Sequence, residues 1–260
     1  MWASLWQRWR GGSRPSIDSG QLPARFGGHT YRVAGLGELP YRHFLSPSDP
    51  GEKNPLIVFL HGAGGAGKDN CAQLTGGNGL ALSRLLSGMD AAPISGQILA
   101  PQCPGNEGWW SPNPEPSRSG QLLLRLLEEW VVGGQVDCSR IYLVGVSMGG
   151  HGAWDLLWRS PHLFAALVPI CAACPAQRAE SLAPLPVWGF HGCEDQEVPV
   201  HQTRKLFEQL QSRGWEARFS ELPGVGHRCT REVFEQFDIL SWLLVQRKQQ
   251  NPKNSSSPGL

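Results

Sequence analysis

The 260-residue chain contains no run of about 18–20 apolar residues, the length a transmembrane helix needs. Charge is scarce and balanced. Charged residues make up 17%, with 23 Lys+Arg against 22 Asp+Glu and a net charge of +1. That excludes an acidic or basic disordered chain and leaves no electrostatic reason to expect nucleic acid as a partner. Seven cysteines are an odd number without framework spacing, so no disulfide scaffold is expected. They read as reduced thiols of a cytoplasmic protein. Cys171-Ala-Ala-Cys174 has no second CxxC or nearby His pair; it follows AALVPI and reads as the end of a buried strand, not as a redox or zinc motif. No metal and no organic cofactor is implied. The N-terminal MWASLWQRWRGGSRPS has arginines but no apolar h-region, so it does not read as a secretory signal. Trp2, Leu5, Trp6 and Trp9 fall at helical spacing. A frayed leader or a docked patch is favoured over a membrane-surface helix.

What is present is a globular composition: 40% hydrophobic residues, with 32 Gly and 21 Pro to serve many turns. At roughly 150 residues per domain, the length allows one large domain or two small ones. No internal repeat occurs. Residues 1–28 read as an irregular leader, 29–247 as a single catalytic domain and 248–260 (KQQNPKNSSSPGL) as a disordered tail. Residues 31–33 and 41–46 alternate as outer antiparallel strands would. Apolar runs at 56–60, 97–100, 141–146, 165–170 and 187–190, and the mixed segment 217–222, read as further strands, the most apolar of them as strands covered on both faces. Residues 122–132, 148–159, 200–213 and 231–246 carry helical spacing. The alternation predicts an α/β fold: a mostly parallel central sheet with helices on both faces, and a site at the carboxyl ends of the strands.

The residues after each strand carry the chemistry. Gly145-Val146-Ser147-Met148-Gly149 is a G-x-S-x-G pattern between an apolar strand and a helix. Such a turn is sharp, so the neighbours must be small, and the hydroxyl is raised above the sheet at a helix N-terminus. A capping Ser in an ordinary tight turn is the structural alternative. After the 187–190 run, Glu194, Asp195 and Glu197 offer three acids, among which composition does not choose. After the 217–222 run, Pro223-Gly224-Val225-Gly226 leads to His227. A serine, then an acid, then a histidine is the order of α/β-hydrolase triads.

After the 56–60 run, His61-Gly62-Ala63-Gly64-Gly65-Ala66-Gly67-Lys68-Asp69 imitates two nucleotide motifs. Gly62, Gly64 and Gly67 satisfy GxGxxG, but no second strand ends in the required acid. Asp69 stands where a P-loop needs Ser or Thr. The favoured reading is an oxyanion loop, with the backbone N–H groups of Ala63 and Met148 as the two donors. Trp109 and Trp110 lie in a Pro/Gly-rich loop. They line an acyl or alcohol pocket or pack the loop onto the domain. The following SPNPEPSRSG is a candidate partial lid. Trp154 and Trp158 read as core, and His191 and His201 as residues without a required catalytic role.

The segments PLIVFLHGAGGAGKDN (55–70), APQCPGNEGWW (100–110), RIYLVGVSMGGHGAWDL (140–156), FAALVPIC (164–171), PVWGFHGCEDQEVP (186–199) and LPGVGHRC (222–229) resemble esterases of the α/β-hydrolase superfamily. The nearest group is the phospholipase/carboxylesterase-like one, also called "predicted peptidase", similar to polyhydroxybutyrate-depolymerase and feruloyl-esterase-like proteins. The likeness runs over roughly residues 40–245. It implies Ser147 as nucleophile, Asp195 as acid and His227 as base, with His61-Gly62-Ala63 supplying the oxyanion segment. His61 joins Trp109 and Trp110 as candidate substrate-binding residues. One departure is Arg228-Cys229-Thr230, where many relatives carry a Trp after the histidine. The implied activity is hydrolysis of small-molecule carboxylic esters. A serine peptidase of the same fold and a non-catalytic hydrolase-fold binding protein are the alternatives.

Overall fold

The computed structural model describes residues 18–47, 51–91, 95–174 and 176–248. The Trp-rich residues 2–9 and the 249–260 part of the tail lie outside the described residues. Strands β1 (Gly27–Val33), β2 (Gly37–Leu45), β3 (Leu56–Leu60), β4 (Gln97–Pro101), β5 (Ile141–Val146), β6 (Ala166–Ile170), β7 (Val187–Gly192) and β8 (Ala217–Leu222) form one sheet of order β1-β2-β4-β3-β5-β6-β7-β8. The six strands β3–β8 run parallel. β1 and β2 pair antiparallel at one edge, and β2 pairs antiparallel with β4.

Period-2 side-chain alternation divides the apolar residues of the central strands between two cores. In β3, Leu56, Val58 and Leu60 enter one core, while Ile57 and Phe59 enter the other. The first core is closed by α3 (Arg118–Val132), α4 (Met148–Arg159) and α6 (Val200–Ser212). The second is closed by α2 (Gly76–Ala91), α7 (Thr230–Gln236) and α8 (Ile239–Val245). Two four-residue helices, α1 (Leu22–Arg25) and α5 (Ala176–Ala179), complete the set. β3 is therefore followed by a helix on one face and its neighbour β5 by a helix on the other. The carboxyl ends of β3 and β5 flank a topological switch point, the crevice where open α/β sheets bind ligands.

Three sequence expectations are corrected, and one helix is new. Residues 18–28 are not irregular: Leu22 and Phe26 are buried against α2, and β1 begins at Gly27. The helix expected over 231–246 is two helices, broken at Phe237-Asp238, where the Asp238 carboxylate accepts the Ser241 N–H at 3.2 Å and caps α8. α2 has no counterpart in the sequence reading, because its GGNG start carries poor helix formers. Lys248, placed in the tail, is tied down by its N–H to Ser139 O at 2.9 Å. Among the described residues, no helix is long and apolar enough to cross a membrane.

Candidate active site

Ser147 joins β5 to α4 with φ 52° and ψ −115°, a region L-residues rarely occupy. The flanking glycines allow it. A Cβ on Gly145 would lie 2.2 Å from Gly149 O, and one on Gly149 would lie 2.0 Å from Leu60 O. No side chain fits either place. The strain lifts Ser147 Oγ off the sheet to meet His227 Nε2 at 2.8 Å.

His227 stands on the loop after β8, and its Nδ1 lies 2.7 Å from Asp195 Oδ2. Asp195, on the loop after β7, is buried. Its Oδ1 accepts the N–H groups of Val198 at 2.8 Å and Glu197 at 2.9 Å. Burial pushes its carboxyl up. The Val198 N–H, the bond to His227 and the Glu197 N–H outweigh that and hold it below the usual carboxylate range. The two loops cross at Gly192, where a Cβ would lie 2.3 Å from Val225 O. Of the other acids near this turn, Glu194 is exposed, and Glu197 points its carboxylate into solvent with Oε2 3.6 Å from His227 Nε2.

The glycine loop after β3 runs beside the serine. A Cβ on Gly62 would lie 3.7 Å from Ser147 Cβ and 3.3 Å from Val146 O. The Gly62 N–H donates to Asn78 Oδ1 at 3.0 Å, so the first turn of α2 anchors the loop. Ala63 opens a 3-10 turn (Ala63–Gly65), and Met148 opens α4. Each N–H is thus among the first of its turn, which have no carbonyl partner within it. The loop does not lead directly into an α-helix as both nucleotide motifs require. Asp69 instead accepts the Cys71 and Ala72 N–H groups and Gln102 Nε2.

The three candidate substrate-binding residues separate. His61 has no exposed surface. Its Nδ1 donates to Gly62 O at 2.7 Å, and its Nε2 accepts the Cys103 N–H at 3.1 Å. Burial pushes its pKa down to about 4, against the raising effect of the Gly62 carbonyl, so the ring stays neutral. Trp109 is also fully buried: its Nε1 donates to His61 O at 3.2 Å, and its side chain fills the space over Gly152, where a Cβ would lie 2.1 Å away. Both brace the glycine loop from behind and present no surface to a ligand, against the reading of His61 as a substrate contact and in keeping with the packing alternative for Trp109. Trp110 is 42% exposed. It lines a cavity of about 320 Å³ with His151, Ala173, Cys174, Arg178 and Gln202. The backbone N–H of His151 bonds Ser147 O at 3.0 Å, which sets this cavity one helical turn from Ser147.

The lid candidate is fastened to α4. Buried Asp155 pairs with Arg159 at 2.8 Å and with Arg178. Arg159 donates to the carbonyls of Ser111, Pro114 and Asn113, and Arg178 to that of Ser111. Trp154 is core, as expected, whereas Trp158 is only partly buried and lies under the Arg178 guanidinium at 4.5 Å. Cys171 follows β6 directly and is buried against Cys229. The bond to Cys229 and burial push its thiol up. Cys229, in the segment where this chain departs from many relatives, is fully buried. Among the described residues, no group of three or more His, Cys, Asp or Glu is placed to hold a metal ion. Asn78, Gly152, Gly192 and His191 had no local sequence signal.

The family model described as Phospholipase/Carboxylesterase matches residues 115–240. A thermostable esterase of known structure superposes with a TM-score of 0.79 at 32% identity, covering 86% of this chain and 64% of that one. "Putative esterase NocK" of Nocardia uniformis subsp. tsuyamanensis is 26% identical over 166 residues, 60% of this chain and 44% of that protein. The chain therefore spans less than two thirds of the length of either relative. An acylaminoacyl peptidase of Pyrococcus horikoshii shares the fold, with a TM-score of 0.63 at 15% identity.

Proposed function

We propose that this chain, an α/β hydrolase of the esterase kind, is a serine hydrolase that cleaves carboxylic esters of small molecules through an acyl-enzyme. The observation that carries the reading is the unbroken relay from Ser147 Oγ to His227 at 2.8 Å and from His227 to Asp195 at 2.7 Å. His227 Nε2 takes the hydroxyl proton as Oγ attacks the ester carbonyl. Asp195 holds the imidazole in the tautomer that leaves Nε2 free and stabilises the imidazolium that forms. The Ala63 and Met148 N–H groups receive the oxyanion. His227 then protonates the leaving alcohol. In the second half, His227 deprotonates water, which attacks the acyl carbon and frees Ser147.

Residues 18–248 act as one catalytic unit. All seven cysteines are free, which supports a reducing, cytoplasmic setting. The esterase relatives are closer in sequence than the acylaminoacyl peptidase, which supports esters over peptides. Hydrolysis of p-nitrophenyl esters, compared with aminoacyl-anilides, tests the choice. The expected result is ester turnover that Ser147→Ala lowers by about 10⁶ in kcat, with anilides far slower. Faster anilide turnover overturns the esterase assignment, and turnover retained by Ser147→Ala overturns the mechanism.

A further inference from the structure

A second histidine stands behind the acid. His191 lies near the end of β7 and has no exposed surface. Its Nδ1 is 2.9 Å from Thr203 Oγ1 on α6. Its Nε2 is 2.8 Å from Val198 O and 3.0 Å from Asp195 Oδ2. Val198 O can only accept, so Nε2 carries the proton. Nδ1 then accepts, and the Thr203 hydroxyl donates. Burial holds the imidazole below the ordinary histidine range, so it stays neutral in this one tautomer.

The consequence falls on Asp195 from two sides. Val198, whose N–H donates to Asp195 Oδ1, has its own carbonyl held by His191 Nε2–H. The same N–H flanks Oδ2, the oxygen that receives His227. The opposite tautomer would turn a lone pair toward both oxygens. We propose that His191, with its tautomer set by Thr203, is a positioning residue that holds the Asp195 carboxylate in line with His227. The proposal rests on Asp195 being the acid of a serine hydrolase. It gives a positioning role to a residue that the sequence reading left without a required catalytic one.

Hydrolysis of p-nitrophenyl acetate by wild type, His191→Leu, His191→Gln and Thr203→Val tests it, with Ser147→Ala as the blank. His191→Leu is expected to lower kcat by about 10–100-fold while KM stays within about twofold, because a small misplacement in the relay slows the chemical step and leaves ester binding intact. His191→Gln, whose side-chain NH₂ reaches the place of Nε2, should recover most of that loss. The nearly isosteric Thr203→Val should fall between wild type and His191→Leu. A His191→Leu enzyme with wild-type kcat, or a Gln variant as impaired as the Leu variant, overturns the proposal. If His191→Leu does not fold, unchanged kcat in Thr203→Val overturns it. Absence of Ser147-dependent turnover in wild type overturns the serine-hydrolase reading itself, and this proposal with it.

Discussion

A single missing carbon decides the geometry at Gly149. A Cβ there would meet Leu60 O at 2.0 Å, and backbone on both sides cannot yield cheaply. Gly149→Ala is expected to cost about 3 kcal/mol or more, because overpacking here would force strand against helix. Urea denaturation measures it, and a loss under about 1 kcal/mol would mean the turn is looser than described. Asn78 acts at a distance: it holds Gly62 N–H and so aims the loop carrying Ala63. Asn78→Ala should lower kcat for esters by about 10–100-fold through misplacement of that loop. A kcat equal to wild type would remove Asn78 from the account. At this scale, Ser147 and His227 were legible because each follows a strand, whereas Asp195 was set apart from Glu194 and Glu197 on the same loop only by the family resemblance. The roles of His61 and Trp109 were not. Their surroundings come from Cys103, Gly152 and the loop fold, none of which leaves a mark on the neighbouring sequence.

Among the elements, the apolar strands were plain in the sequence because burial on both faces writes itself as an unbroken run such as LIVFL. α2 was hidden. Its Gly76-Gly77-Asn78-Gly79 start disfavours a helix by about 1 kcal/mol per glycine, and packing against the sheet, α1, α7 and α8 supports it. The closing helix looked continuous because the apolar spacing carries across Phe237-Asp238, while the cap at Asp238 splits it. The link between α4 and the lid loop is electrostatic. Asp155 shares its oxygens between Arg159 and Arg178, and these hold three carbonyls of the 111–114 loop. Asp155→Ala leaves two largely buried guanidinium groups without their anion, and is expected to destabilise by about 3 kcal/mol. Thermal unfolding measures that loss. Faster proteolysis within 111–116 should accompany it, and an uncut loop at unchanged stability would refute the clamp.

Across the whole molecule, His43, His61, His151 and His191 are all held below the ordinary histidine range, in each case chiefly by burial. The unfolded chain takes up protons near pH 6.5, while the native state resists until lower pH. Stability should therefore be full above about pH 7 and fall as the pH drops through 6.5 toward 4, with His61 alone contributing on the order of 3 kcal/mol across that interval. Urea midpoints at pH 7.5, 6 and 5 check the sign. A flat profile, or a rise on acidification, contradicts it. His61→Gln should flatten the slope whatever it does to the midpoint.

The architecture as a whole, a mostly parallel sheet with Ser147, Asp195 and His227 beyond the carboxyl ends of its strands, followed from element order. The cavity beside Trp110 did not, since its walls come from five separate loops and helices.

Mass-spectrometric mapping after reaction with a fluorophosphonate is the most direct measurement. The account predicts one covalent adduct, on the peptide that carries Ser147, and its loss in His227→Ala. A natively folded protein that takes up no reagent, or takes it up at another residue, would contradict it.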